Sequence, residues 1–142
     1  MINIEQLLEK IRPYVLGWVH PFHALAAPLT SASWAGNSFS SVGTPTQIDL
    51  SAVFGLPVGI TAVLLYSDVN DSAALGTDGL YFTCGPSSSY YYSTLNAPIG
   101  GDVSSIKTEM VPCDANGDIW YRIGASGSNT MDIRLQIVGY WL

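Results

Sequence analysis

The sequence predicts a mainly β chain, an antiparallel β-sandwich (jelly-roll-like) preceded by a short N-terminal α-helix. Three observations predict it. Met131, Ile133, Leu135 and Ile137 alternate with Asp132, Arg134 and Gln136, so one face of that segment is apolar and the other polar, as in a half-buried strand. Beyond Pro28, short apolar runs alternate with clusters of Gly, Pro, Asn, Asp and Ser, the rhythm of short strands joined by turns. Helical periodicity is confined to the start, where Ile4, Leu7, Leu8 and Ile11 share one face and Glu5, Glu9, Lys10 and Arg12 the other.

The first element is read as a helix from Asn3 to Arg12. Asn3 can cap it, with Gln6 as the reciprocal partner. Pro13 lacks an amide hydrogen and clashes with the preceding turn, so the helix kinks or ends there. Ile4, Ile11 and Trp18 recur every seventh residue, a coiled-coil-like seam. A helix of about three turns is marginal alone in water. Its apolar face therefore needs its own sheet or further copies of itself. Ile4, Leu7, Leu8, Ile11 and Trp18 are the candidate oligomerisation residues. Residues 1–29 are read as helix and connector, and residues 30–142 as the β-sandwich domain.

Eight strand candidates follow: Ser33–Val42, Gln47–Val53, Thr61–Ser67, Gly79–Cys84, Tyr90–Leu95, Ser105–Val111, Ile119–Ala125 and Met131–Tyr140. Thr61 to Tyr66 is almost continuously apolar, which predicts a central strand buried on both faces. Gly139, Tyr140, Trp141 and Leu142 carry no solubilising charge. They are expected to be ordered, paired in a sheet or held at an interface. Trp34, Trp120 and Trp141 are expected in the core or at subunit contacts.

The 142 residues fit one domain with a short appendage, and 48% hydrophobic content is enough for a core. Charged residues make up only 11%, against about a quarter in ordinary domains. Hydroxyl, amide and aromatic side chains take their place, a surface that suits an oligomer, a particle component or a glycan-facing module. The net charge of −6 reflects scarce bases. Lys10, Arg12, Lys107, Arg122 and Arg134 are scattered, so nucleic acid is not an expected partner. Cys84 and Cys113 leave open one bridge or two free buried thiols, the second being favoured. The first ten residues have the wrong charge for a secretory leader, and prolines break Pro13–Leu29 too often for a membrane helix.

Reaction chemistry finds little footing. His20 and His23 sit together beside prolines, without a nucleophile elbow or a third metal ligand nearby. Asp68, Asp71 and Asp78 share one presumed loop, and Asp114 and Asp118 another. Paired carboxylates serve glycoside hydrolysis, but loop aspartates are commonly turn formers. Asp114, Asn116 and Asp118 also copy the alternate oxygen ligands of a calcium loop. The competing reading, a type I′ hairpin turn at Asn116-Gly117, is preferred. Neither a catalytic residue nor a cofactor is expected. Tyr90, Tyr91 and Tyr92 are the best candidate contacts for a ligand or receptor, with Tyr90 and Tyr92 on one strand face and Tyr91 on the other.

Three segments carry a resemblance: Ile48–Pro57 with Thr61–Leu65, Val111–Arg122, and Ala125–Trp141. Together they resemble the C-terminal domains of bacteriophage tail-fibre-like proteins over roughly residues 30–142. That resemblance implies a virion structural protein, a homo-oligomer with three copies expected. It implies a helical stem leading into a β-rich head that contacts a host cell-surface glycan or other virion proteins. It assigns no residue to a receptor. The chain departs from the pattern in lacking a long shaft, which leaves a capsid-decorating protein as an alternative. A stand-alone carbohydrate-binding module and a glycan-cleaving enzyme are the alternatives from other classes.

Overall fold

Residues 3–6, 21–83, 85–87, 91–100 and 103–142 are described by a computed structural model. The strands are β1 (Phe22–Phe39), β2 (Val42–Ile48), β3 (Ala62–Asp71), β4 (Gly79–Thr83), β5 (Tyr91–Asn96), β6 (Ser105–Pro112), β7 (Ile119–Gly124) and β8 (Met131–Trp141). They form two four-stranded sheets: sheet A, ordered β1-β8-β3-β6, and sheet B, ordered β2-β7-β4-β5. Every pairing is antiparallel. The pairs β1·β8, β2·β7, β3·β6 and β4·β5 are nested like one long hairpin folded between β4 and β5. Rolling that hairpin brings β8 against β3 and β7 against β4, which gives the jelly roll.

The register fixes which ends coincide. Phe39 pairs with Met131, Asp71 with Met131, and Val69 with Ser105, so these mark one end of sheet A. Phe22 pairs with Trp141 and Ala62 with both Trp141 and Pro112 at the other. The second end, which holds Phe22 and Trp141, is called terminal here, and the first distal. The connections β1–β2, β3–β4, β5–β6 and β7–β8 all leave from the distal end.

The core lies between the sheets. Val63, Leu65 and Val69 of β3 and Met131, Ile133, Leu135 and Ile137 of β8 face Leu80, Phe82, Ile119, Tyr121 and Ile123 of sheet B. Trp34 of β1 meets Tyr121 of β7 edge to face, with ring centroids 5.0 Å apart, and stacks on Phe39 at 4.9 Å. Such aromatic pairs add about 0.5–1.5 kcal/mol beyond buried area. At the open side, the Ser93 hydroxyl of β5 donates to Glu109 of β6 and accepts from Lys107, each at 2.6 Å. Lys107 and Glu109 are themselves an ion pair at 2.9 Å.

Four expectations need correction. β1 begins at Phe22, not Ser33, so Phe22–Leu29 belongs to the sandwich and not to the connector. It was hidden because an edge strand need not alternate. Its register shifts between Ala24 and Leu29, around Pro28, and again between Thr30 and Ala35. An edge or a bulge is where a sheet tolerates a residue without an N–H. The second strand ends at Ile48, and Leu50–Phe54 is instead a helix, α1. Asp49 caps it by accepting from Ala52 N at 2.9 Å, and Gly55 at φ 73° closes it. Leu50 and Phe54, one turn apart, are both buried. Third, β3 is central, but its outward residues are half-buried and not buried.

Fourth, Asn116-Gly117 is not a type I′ turn. Gly117 has φ 89°, while Asn116 keeps negative φ. Gly117 N donates to Asp114 O at 3.0 Å and Asp114 N to Asp118 O at 2.8 Å. This is a type I turn over Ala115-Asn116 followed by a glycine bulge. The helical turn at the chain start has the expected reciprocal cap. Gln6 N donates to Asn3 Oδ1 at 2.8 Å, and Asn3 N to Gln6 Oε1 at 3.3 Å. The C-terminal strand is ordered and paired on both sides through Trp141.

Candidate functional site

The outward face of sheet A is divided in two. Leu64, Tyr66, Asp68 and Asn70 of β3 alternate with the core residues and point away from the sandwich. Asp132, Arg134 and Gln136 do the same on β8. Register sets them in cross-strand rows. Leu64 lies between Gly139 and Met110, Tyr66 between Gln136 and Thr108, and Asp68 between Arg134 and Ile106. Asn70 lies opposite Asp132.

The terminal half is apolar. Phe22 covers Gly139 and its ring centroid lies 4.5 Å from that of Trp141. With Leu64 and Met110 it makes an apolar row across all four strands. Phe22 remains 44% and Met110 56% exposed.

The distal half is polar. Gly36, Asp68, Asn70, Ser104, Asp132 and Arg134 line an open depression of about 200 Å³. β1 bulges here, between Ala35 and Asn37, on Gly36 at φ 94°, beside the Arg134 guanidinium. A bulge of this kind re-aims neighbouring side chains. Arg134 approaches Asp68 at 3.8 Å, an ion pair longer than a hydrogen bond. Asp132 Oδ1 accepts from the Ser38 hydroxyl at 2.5 Å. Ile106, 59% exposed, stands beside Asp68.

The loops around this end are tied together. Asn129 N donates to Ser40 Oγ at 3.0 Å, and Ala125 N to Ser41 Oγ at 2.9 Å. The buried Asp71 accepts from Ser126 N at 2.9 Å, Ala73 N at 3.0 Å, Thr130 Oγ1 at 3.3 Å and the Ser126 hydroxyl. Burial opposes its ionisation, but these hydrogen bonds outweigh it and hold the carboxyl below the ordinary value of 3.8. The distal end is thus braced by side chains, a preformed frame around the depression.

The tyrosine candidates lie elsewhere, on sheet B. Tyr91 pairs with Thr83 towards the terminal end, and a register shift at Tyr92 breaks the expected alternation of faces. Tyr91 is 42% and Tyr92 48% exposed. Arg122 donates to the Tyr91 hydroxyl at 2.8 Å and stands 6.0 Å from its ring centroid, and Tyr81 lies 5.1 Å away. Tyr90 lies outside the described residues, as do Leu7, Leu8, Ile11, Trp18, His20 and Cys84. Ile4 is exposed.

The other carboxylates hold turns. Asp114 Oδ1 accepts from Asn116 N at 2.9 Å and Asp118 N at 3.1 Å, and Oδ2 from the Trp120 indole at 2.8 Å. Burial opposes ionisation of Asp114 as well, and these bonds again prevail and lower its pKa. Asp118 accepts from Gln47 at 2.7 Å and Leu50 N at 3.1 Å. Asp78 accepts from Leu75 N at 2.8 Å. The Asp114 and Asp118 oxygens proposed for calcium are therefore engaged with N–H donors. Among the described residues no group of three or more His, Cys, Asp or Glu is placed to hold a metal ion. His23 stacks on Tyr140 at 5.0 Å. Cys113 is a free thiol, pushed up to about 12 by burial and by the Asp114 and Asp118 charges.

Sequence reasoning passed over the depression. Asp132 and Arg134 were visible as the wet face of the last strand. Asp68 reads as a loop residue in the sequence, whereas β3 continues to Asp71, past the apolar run that marks the strand. No helix among the described residues is long and apolar enough to cross a membrane. No protein-family model matches the chain, and no curated protein matches it.

Proposed function

We propose that this chain is a non-enzymatic virion structural protein, tail-fibre-like, whose jelly roll is a head module that self-associates and presents its distal end to a host surface. One observation carries the reading: the apolar row of Phe22, Leu64 and Met110, left open on the outward face of sheet A beside the strand where the N-terminal segment joins the sandwich. Exposed apolar surface in a charge-poor chain favours a partner, and identical copies are the economical one. The amphipathic N-terminal stretch enters at Phe22, the same end of the sheet, so stem and apolar row would bring copies together on one side. The distal end would then face outward. Three copies fit the resemblance to tail-fibre heads, and the particle is the expected location.

Light scattering on the purified full chain tests this. The expected native mass is three times the 15.2 kDa chain mass. Met110→Glu with Leu64→Glu should lower it while the far-ultraviolet β signal persists. A parent protein that stays monomeric at micromolar concentration would sink the proposal.

A further inference from the structure

We infer that the distal depression of sheet A is a saccharide site, taking one neutral sugar residue of a glycan through Asp68, Asn70, Asp132 and Arg134. The inference rests on the reading of the distal end as a contact surface and gives that surface a ligand class.

Its polar groups are held in place but not used up. Among the described residues, the Arg134 guanidinium makes an ion pair at 3.8 Å and no hydrogen bond, and the Asn70 amide has no side-chain partner. Asp132 engages only Oδ1, with Ser38. The depression therefore offers carboxylate acceptors, amide donor and acceptor, and guanidinium donors within two strand steps on adjacent strands. A pair of neighbouring sugar hydroxyls, each both donor and acceptor, satisfies such a mixed set.

Charge narrows the choice. Asp68 and Asp132 outnumber Arg134, so a phosphate or sulfate would meet net repulsion. A free cation would meet the guanidinium. A neutral polyol is repelled by neither charge and can bond to both. The about 200 Å³ volume is small beside the cavities that enclose drug-sized molecules, and it suits a single pyranose ring open to solvent on one side. Exposed Ile106 beside Asp68, and Tyr66 one alternate position along β3, give the apolar C–H face of the ring a surface to lie against. The bracing of the β1–β2 and β7–β8 loops keeps the frame rigid, which limits the entropy lost on binding.

Saturation-transfer-difference NMR on the full chain tests the site with five probes: the methyl glycosides of glucose, galactose, mannose, N-acetylglucosamine and rhamnose. At least one should receive saturation, with millimolar affinity. Asp132→Ala and Arg134→Ala should each weaken it about tenfold, the effect of losing one charge-assisted hydrogen bond. Ser104→Trp, which fills the depression from outside the strands, should abolish it with the melting temperature unchanged. Tyr91→Ala should leave it intact. Saturation of none of the five sugars overturns the inference. So does a signal that survives all three depression variants, or one that disappears only in Tyr91→Ala. The assembly reading fails separately: a monomer that binds sugar through Asp132 and Arg134 upholds the site, and a trimer that binds none overturns it.

Discussion

The ring of Phe22 occupies the space that a side chain on Gly139 would need. A Cβ built on Gly139 would overlap Phe22 Cζ and stand 3.0 Å from the His23 carbonyl. The glycine thus lets the start of the edge strand lie flat on the last strand, with Phe22 against Trp141. Gly139→Ala should destabilise by about 1–3 kcal/mol, the usual range for overpacking. Adding Phe22→Ala should recover part of that loss, because the overlap with the ring is then removed. Urea midpoints of the two single variants and the double would show it. Strictly additive losses would mean that the ring and the glycine are not coupled.

The glycine bulge after Asp114 separates two neighbouring residues. Gly117 needs positive φ, and a Cβ there would lie 3.2 Å from Gly59 N and 3.3 Å from Ile60 N. Gly117→Val should cost about 1–3 kcal/mol. Asn116 has ordinary φ and an exposed side chain, so Asn116→Ala should stay within about 0.5 kcal/mol. Equal losses at both positions would restore the type I′ turn.

Ser67 sits at the centre of the core, fully buried on β3, and its hydroxyl has no hydrogen-bond partner among the described residues. A buried hydroxyl left unpaired costs about 1–3 kcal/mol relative to solvent. Ser67→Ala removes the unpaired group and little volume. Its expected effect is a rise in stability of up to about 1 kcal/mol, read as a higher melting temperature. A clear fall would show that the hydroxyl is satisfied.

The Cys113 thiol, half-buried and flanked by the Asp114 and Asp118 carboxylates, stays protonated far above neutral pH. The thiolate is the reactive form. Iodoacetamide at pH 8 should therefore leave Cys113 unmodified in the folded protein and alkylate it in denaturant. Peptide mass spectrometry distinguishes the two.

Where the sequence kept one period, it was legible. The alternation from Met131 to Gln136 named the core face of β8 residue by residue, and strand starts at Ser105 and Ile119 follow directly from their turn signals. Legibility failed where tertiary pairing overrides pattern. The first strand is an edge, so pairing on one side through Trp141 and Ile137 suffices and its apolar residues need not alternate. The α1 helix was marked by Asp49, Gly55 and Pro57, but five residues are too few for periodicity to show. The depression needs Asp68 and Arg134 on adjacent strands, a pairing that only the register supplies.

Asp71 should make the fold acid-sensitive in a defined way. Its folded pKa lies below 3.8, because the Ser126, Ala73 and Thr130 donors favour the charged form more than burial disfavours it. A depressed carboxyl stabilises the fold only while it is ionised. That contribution is therefore complete above the unfolded pKa of about 3.9 and is lost as pH falls through the folded value. The parent should lose urea resistance steadily below about pH 4. Asp71→Asn keeps the volume, but its amide nitrogen cannot accept, so either the Ser126 N–H on Oδ2 or the Ala73 N–H on Oδ1 loses its acceptor. It should cost about 1–3 kcal/mol at neutral pH. Its stability should then fall less steeply in acid, so that the two curves converge towards pH 2. Asp114 shares the direction of shift and leaves a smaller slope behind in the variant. Parallel curves from neutral to acid pH would show that the Asp71 carboxylate is not the titrating anchor of the distal loops.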